Sequence, residues 1–293
     1  VKQEASAMQN SKKMAMTFVA MLGWAGTLSV ANEAWAIQYG ELRIHSNTTL
    51  TDDRYGDVAF DASNITLDCA NHQVHASSFT KLNGGEKVAI YAASKSGITI
   101  KNCKIVGVFD KSLRLEQTTN AVVQNVSAST PALFVSNNGV NVSGLTVHSS
   151  ISIFIEDDVA GSYSANVACA FEGIHVDDCT DTTLLNTTVT GCSNNAIVGG
   201  GNDGLRLDGV DAENSFSGFA MQGDTNDDVR NSVFSNNSYN GIGLFGASAN
   251  NFFGDNTALG NGNCDAYDDP ASQGDSWAQN TFATICGDVP AAH

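Results

Sequence analysis

Proline is nearly missing from this chain, three residues in 293 against 28 glycines. That balance excludes a linker-rich, multi-part chain and favours many tight turns within a regular array. Charge is also scarce: Asp, Glu, Lys and Arg make up 15% of the residues, where soluble domains average about 25%. Positive charge is the scarcest, with 14 basic residues against 31 acidic ones and a net charge of −17. Beyond Arg114 the only basic residues are Arg206 and Arg230, so nucleic acid is excluded as a partner. No CxxC pair occurs among the seven cysteines, which argues against structural zinc. Met221 is the only methionine after residue 21, so soft-metal handling through thioethers has little support.

Asn, Ser, Thr, Asp and Gly supply the polarity instead, residues suited to turns and sheet surfaces. Residues 1–36 differ in kind. Lys12 and Lys13 precede an apolar run from Met14 to Val30, and Ala34-Trp35-Ala36 follows, the order of a secretory signal peptide. The expected organisation is a signal peptide at 1–36 and one domain at 37–293, exported to the periplasm or beyond the cell. No later segment is long and apolar enough to span a bilayer.

A repeat runs through that domain. The phrases GIHV, AIVG, GFAM and GIGL align on Ile174, Ile197, Phe219 and Ile242, a period of 22 to 23 residues. Two further apolar families follow each, around Leu184, Leu205, Val229 and Phe252, then around Val189, Val210, Val233 and Leu259. Three short strands per period cannot bury an inward face alone and must stack on copies of themselves. The geometry this implies is an all-β, right-handed parallel β-helix of about nine coils. Residues 76–87 read as a loop protruding from one coil, 148–172 as the least regular coil, 37–50 as an N-terminal cap, and 264–293 as a C-terminal cap plugged by Trp277 and Phe282. Asn102, Asn125, Asn186, Asn231 and Asn256, with Ser143 and Asp208 in the remaining coils, read as one stacked ladder before the third strand.

Cysteine spacing tests the register. Residues one period apart lie above one another at strand spacing, within disulfide reach. Cys169 and Cys192 are 23 apart, Cys264 and Cys286 are 22 apart, and Cys69 and Cys103 are 34 apart with the loop between them. Three bridges between neighbouring coils follow, leaving Cys179 free. A local Cys179 to Cys192 bridge is the competing choice.

The phrase NITLDCANHQVHAS (64–77) resembles the opening coil of secreted right-handed β-helix proteins, and NNSYNGIGLFGASANNFFGDN (236–256) resembles their regular coil. The likeness covers nearly the whole exported part and points to the pectin-lyase-like superfamily, within it to the NosD-like or carbohydrate-binding and sugar-hydrolase repeat group. That resemblance implies a polysaccharide or cell-surface glycan as partner. The polygalacturonase set of NTD, DD, GHG and RIK is not present together, and the DPHD motif of alginate epimerases is missing. The NosD-like association with copper-enzyme maturation directs a check of His72 and His75, whose spacing of three splits them between faces or across a turn.

Chemistry is expected where acids stack on the first strand. With Ile174 and Val176 inward, His175 and Asp177 face out, Asp178 lies at the turn and Glu172 just before the strand. Glu156 then stacks near Asp177 and Asp157 near Asp178, with Gly200 and Gln222 continuing the line. Glu156, Asp177, Asp178 and His175 are the candidate catalytic residues. Glu156, Asp157, Asp177 and Asp178 are the candidate Ca²⁺ ligands, since stacked carboxylates repel unless they bind a cation or share a proton. A paired-carboxylate glycosidase site, a Ca²⁺-dependent lyase and solvated turn acids all remain open. A polyuronate lyase would need cations that Arg206 and Arg230 are poorly placed to give. The function expected is carbohydrate binding or processing along one face, with a non-catalytic structural or adhesive envelope protein as the alternative.

Overall fold

Each segment that alternates apolar and polar residues becomes a short strand, and each Asn- or Gly-rich stretch becomes a corner. The structure, a computed structural model, describes residues 40–75 and 85–291. The expected signal peptide and residues 76–84 of the expected loop lie outside the described residues. Among the described residues there are strands and turns and no helix.

All strand pairings are parallel, and each strand pairs with its counterpart one coil away. About ten turns result. The first-strand column runs in register through Ile153, Ile174, Ile197, Phe219 and Ile242, as the period requires. The second inward column runs Leu184, Leu207, Val229, Phe253 and Trp277. The third contains Val167, Val189 and Ala212, then Phe234, Ala258 and Phe282. Leu205, Val210, Phe252, Val233 and Leu259 therefore stand one or two places from the inward strand positions expected of them. Leu205 and Val210 are nevertheless buried, because a corner residue just before or after a strand also turns inward.

Residues 42–49 do not cap the helix but form its first coil, with Leu42–Ile44 paired to Val58–Phe60. Residues 264–287 form a last coil in the same register, ending in Ile285–Gly287. Trp277 lies against Phe253 with ring centroids 4.1 Å apart and meets Phe282 edge-on at 5.8 Å, so the pair does close the core. The segment expected to be least regular is a full coil, held by the long strands Asn141–Glu156 and Ser162–Asp177, with two register shifts between them.

The three expected disulfides form. Cys69–Cys103, Cys169–Cys192 and Cys264–Cys286 join neighbouring coils with Cα separations of 4.8, 4.9 and 6.0 Å. Cys179 is a buried free thiol, and burial pushes its pKa up to about 12.

The asparagines occupy two columns rather than one. Asn102, Asn125, Asn186 and Asn231 sit in the left-handed region, with φ between 46° and 55°. This is a conformation Asn and Gly tolerate best. Their true mates are Gly144, Gly209 and Asp255, not Ser143, Asp208 and Asn256. At Gly209 a Cβ would meet Asn186 Oδ1 at 2.8 Å, so the amide of one coil lies over the glycine of the next.

Asn256 belongs to the buried column one residue on. Its Oδ1 accepts from the Ser232 N–H at 3.1 Å and its Nδ2 donates to the Val229 carbonyl at 2.8 Å. The Oδ1 of Asn280 accepts the Asn256 N–H in turn, at 3.0 Å. The other corners repeat the device. Thr118 N–H donates to Asn137, Asn137 N–H to Asp158 and Cys179 N–H to Asn202, while Ser215 N–H donates to Asn237 and Asn237 N–H to Asn261. Buried backbone donors at the corners, which no ladder bond reaches, thus find a side chain on the next coil.

Two predictions follow from these columns. Asn256→Ala strands a buried donor and acceptor and is expected to cost about 2–4 kcal/mol in urea unfolding. Asn231→Gly, at a left-handed surface position, is expected to change stability by less than about 1 kcal/mol. A second case is Asp227, whose Oδ1 accepts the Leu205 N–H at 2.8 Å. Burial first and the neighbouring Asp224 carboxylate second raise its pKa to about 8. A carboxyl raised this way carries no penalty below its unfolded pKa of about 3.9 and loses stability as pH rises towards the folded value. Wild-type Tm is therefore expected to fall between pH 5 and pH 8, and Asp227→Asn to flatten that fall. An unchanged slope in the variant would contradict this assignment.

Candidate functional site

The outward side chains of the first strand form two columns, and a change of size along them makes a depression. One column reads Leu133, Phe154, His175, Val198, Ala220, Gly243 and Tyr267. The other reads Val135, Glu156, Asp177, Gly200, Gln222 and Phe245. Rings flank a stretch of small residues, leaving a cavity of about 800 Å³ with Val198, Gly200 and Ala220 in its lining. Small-molecule sites commonly have about this volume.

One wall is aromatic. Phe216 and Tyr239 lie at the corner before the first strand, three residues ahead of Phe219 and Ile242, and stack with centroids 4.9 Å apart and planes 9° from parallel. They are 41% and 39% exposed, unusual for rings in so polar a stretch. Phe245 ends the strand that follows Tyr239, Asn240–Phe245, and contacts Tyr267 of the next coil at 5.4 Å. The opposite wall holds Asp178, Gly201 and Gly223, at the corner after the strand.

Carboxylates close the remaining end. A Cβ on Gly200 would come within 2.7 Å of Asp177 Oδ1, and one on Gly201 within 2.6 Å of Asp178 Oδ1. Both acids thus lean over the glycines of the next coil, which no larger residue could permit without displacing them. His175 sits between two acids. Its Nε2 is 2.9 Å from Asp177 Oδ2, and its Nδ1 is 3.4 Å from Glu172 Oε2. The second contact is at ion-pair distance but lacks hydrogen-bond alignment, so it is Coulombic. Asn194 Nδ2 donates to the other oxygen of Glu172 at 3.4 Å. The imidazole also stacks on Phe154 at 5.8 Å, and Lys111 Nζ lies 4.7 Å from the centre of that ring.

Asp177 first and Glu172 second raise the His175 pKa from 6.5 to about 10, against the opposing effect of partial burial. The residue is a cation at neutral pH and cannot serve as a general base in the free protein. A histidine raised in this way contributes stability that is complete below pH 6.5 and is lost as pH climbs through the folded pKa. NMR titration is expected to show the His175 ring shifting above pH 9, and Asp177→Asn is expected to move that shift towards neutrality. A midpoint near 6.5 in the wild type would contradict the ion-pair geometry.

Of the expected site residues, His175, Asp177 and Asp178 line the cavity together, and Glu172 supports His175 from beneath. Glu156 stacks on Asp177 as expected, but neither Glu156 nor Asp157 lines the cavity. Among the described residues no group of three or more His, Cys, Asp or Glu side chains is placed to hold a metal ion. The four acids expected as Ca²⁺ ligands, Glu156, Asp157, Asp177 and Asp178, are thus not gathered into such a group. Arg206 and Arg230 pair with Asp208 and Asp228 on the second strand, as their position implied. His72 and His75 both approach Asp53, at 3.5 and 3.8 Å, several coils away. Phe216 and Tyr239 lie at corners, where alternation along strands gives no signal. Their signal was a second 23-residue spacing, of bulky rings within turns.

Residues 172–282, which contain the whole cavity lining, match the family model described as a right-handed beta helix region. No curated protein matches the chain. Among solved structures, the enzymatically active domain of tailspike protein 2 from bacteriophage CBA120 is 16% identical over 80% of this chain, with a TM-score of 0.50. The chain spans 38% of that domain's length. A double mutant of the periplasmic alginate epimerase AlgG is 11% identical, with 82% of this chain and 73% of that one covered and a TM-score of 0.51. At such identity the likeness concerns the fold. The described chain is a right-handed parallel β-helix.

Proposed function

We propose that this protein binds carbohydrate in the first-strand cavity. The observation that carries the reading is the stacked, solvent-facing Phe216–Tyr239 wall beside a floor of small residues. A sugar ring presents a face of C–H bonds to an aromatic surface and a rim of hydroxyls to hydrogen-bond acceptors. Phe216 and Tyr239 supply the first, and Asp177 and Asp178 supply acceptor oxygens for the second. Hydrogen bonds to ionised acceptors are the stronger kind, so two carboxylates can fix a ring's orientation.

His175 positions rather than reacts. Held between Glu172 and Asp177, it locks the Asp177 carboxylate towards the cavity. Three inter-coil disulfides accord with folding in an oxidising compartment, periplasmic or extracellular. No helix among the described residues is long and apolar enough to cross a membrane. Carbohydrate-active proteins such as the alginate epimerase are built on the same fold, so the scaffold is compatible with this use.

A glycan array followed by calorimetry on the best binder tests the reading. Phe216→Ala and Tyr239→Ala are each expected to weaken binding about tenfold, near 1.4 kcal/mol, while leaving Tm almost unchanged because both rings are exposed. An array on which nothing binds, or wild-type affinity in both variants, would overturn it.

A further inference from the structure

The cavity is closed at both ends along the helix axis. His175 stands in one column, and Val198, Ala220 and Gly243 follow it on successive coils. The Phe245 ring lies back over Gly243, where a Cβ would meet its Cε2 at 2.8 Å and its Cζ at 2.9 Å. His175 backed by Phe154 forms one dam, and Phe245 backed by Tyr267 forms the other. Between them lie the Val198 and Ala220 coils. At about 4.8 Å per coil the dams are about 14 Å apart, centre to centre. The open floor then takes on the order of two sugar rings. A long chain laid along the axis would have to climb over a ring at each end.

The charge is one-sided as well. Among the described residues no Lys or Arg lines the cavity. The single cation there, His175, is already shared between Glu172 and Asp177. Asp178 has no such partner: its side chain is exposed at the rim and leans over Gly201. Hydroxyls can donate to these oxygens, whereas a sugar carboxylate would meet like charge with no compensating cation.

From this shape and charge, and resting on the carbohydrate reading above, we infer that the site selects a short, carboxylate-free oligosaccharide segment and rejects uronate chains, with Asp178 as a specificity-determining residue. Selection works by repulsion as much as by contact, since the same aromatic wall would accept either kind of ring.

The test uses the full chain and an array of neutral, acetylated and uronate-containing oligosaccharides of two to six rings. Calorimetry then compares the best neutral hit with its longer homologues and compares oligogalacturonates in free-acid and methyl-esterified forms, at low and high salt. Neutral hits are expected to outrank free uronates at least tenfold at low salt, and affinity is expected to level off by three rings. Methyl esterification should recover binding of the galacturonates, and Asp178→Asn should narrow the gap between free acid and ester at least threefold. Asn suits the left-handed backbone at this position (φ 52°), so the variant is expected to fold, which its Tm checks. Free uronates binding as tightly as neutral glycans, or affinity rising steadily to six rings, would overturn this inference while leaving carbohydrate binding intact. An array with no hits would overturn both.

Discussion

Every coil of this protein rests on the backbone of the one beneath, about 4.8 Å away and in parallel register. Whatever occupies a position must therefore tolerate its own counterpart directly above and below. Aliphatic over aliphatic satisfies that condition, and it fills the inward columns through Ile174, Ile197 and Ile242. Charge over like charge satisfies it poorly, and such a pair as Glu156 over Asp177 stands on the solvent-facing side of its strand. At the corners the condition becomes one of hydrogen bonding. The chain turns there with buried N–H groups, and a neutral amide that both accepts and donates can repeat along a column without conflict. Asn256 over Asn280 is one such step. Asp158, Asp224, Asp227 and Asp275 depart from this: each accepts a corner N–H but, when ionised, has no donor to return, and burial raises the pKa of each.

The same stacking converts small changes of side-chain size into a site. Because the backbone ladder holds each strand in place, a run from His175 through Val198 and Ala220 to Gly243 lowers the surface without bending the sheet. The acids gain from this arrangement. Asp177 and Asp178 could not lean forward if the next coil carried side chains at Gly200 and Gly201. Gly200 and Gly201, weak in strand propensity, are thus explained by what they leave room for.

Much of this was legible in the sequence, and the residues that were not share a cause. Ile174, Ile197, Phe219 and Ile242 could be aligned because first-strand inward residues are large, and the cysteine pairs confirmed the period independently. The third column is hard to place from sequence because its inward residues include Ala212 and Ala258, which carry little signal, while Val210, buried at a corner, and Leu259, exposed near one, carry a strong one. The two asparagine columns look like one in the sequence for a related reason: adjacent positions use the same residue for different ends, a left-handed turn in one case and a buried hydrogen bond in the other. Glu156 and Asp177 stack as expected, yet the cavity opens only on the far side of Asp177, where the columns narrow. Strand alternation reports neighbours in register. It does not report where the surface falls away.

That distinction bears on where function can arise in such a fold. Core columns are constrained on every coil by their neighbours above and below, so a change at Phe219 is felt at Ile197 and Ile242. Corner rings such as Phe216 and Tyr239 project into solvent and touch chiefly each other. They can be gained or lost with little cost to the stack, whereas the acids opposite them cannot move without the glycines that house them. The aromatic wall is therefore the adjustable half of the site, and the half made by Asp177 and Asp178 over Gly200 and Gly201 is the part fixed by the architecture.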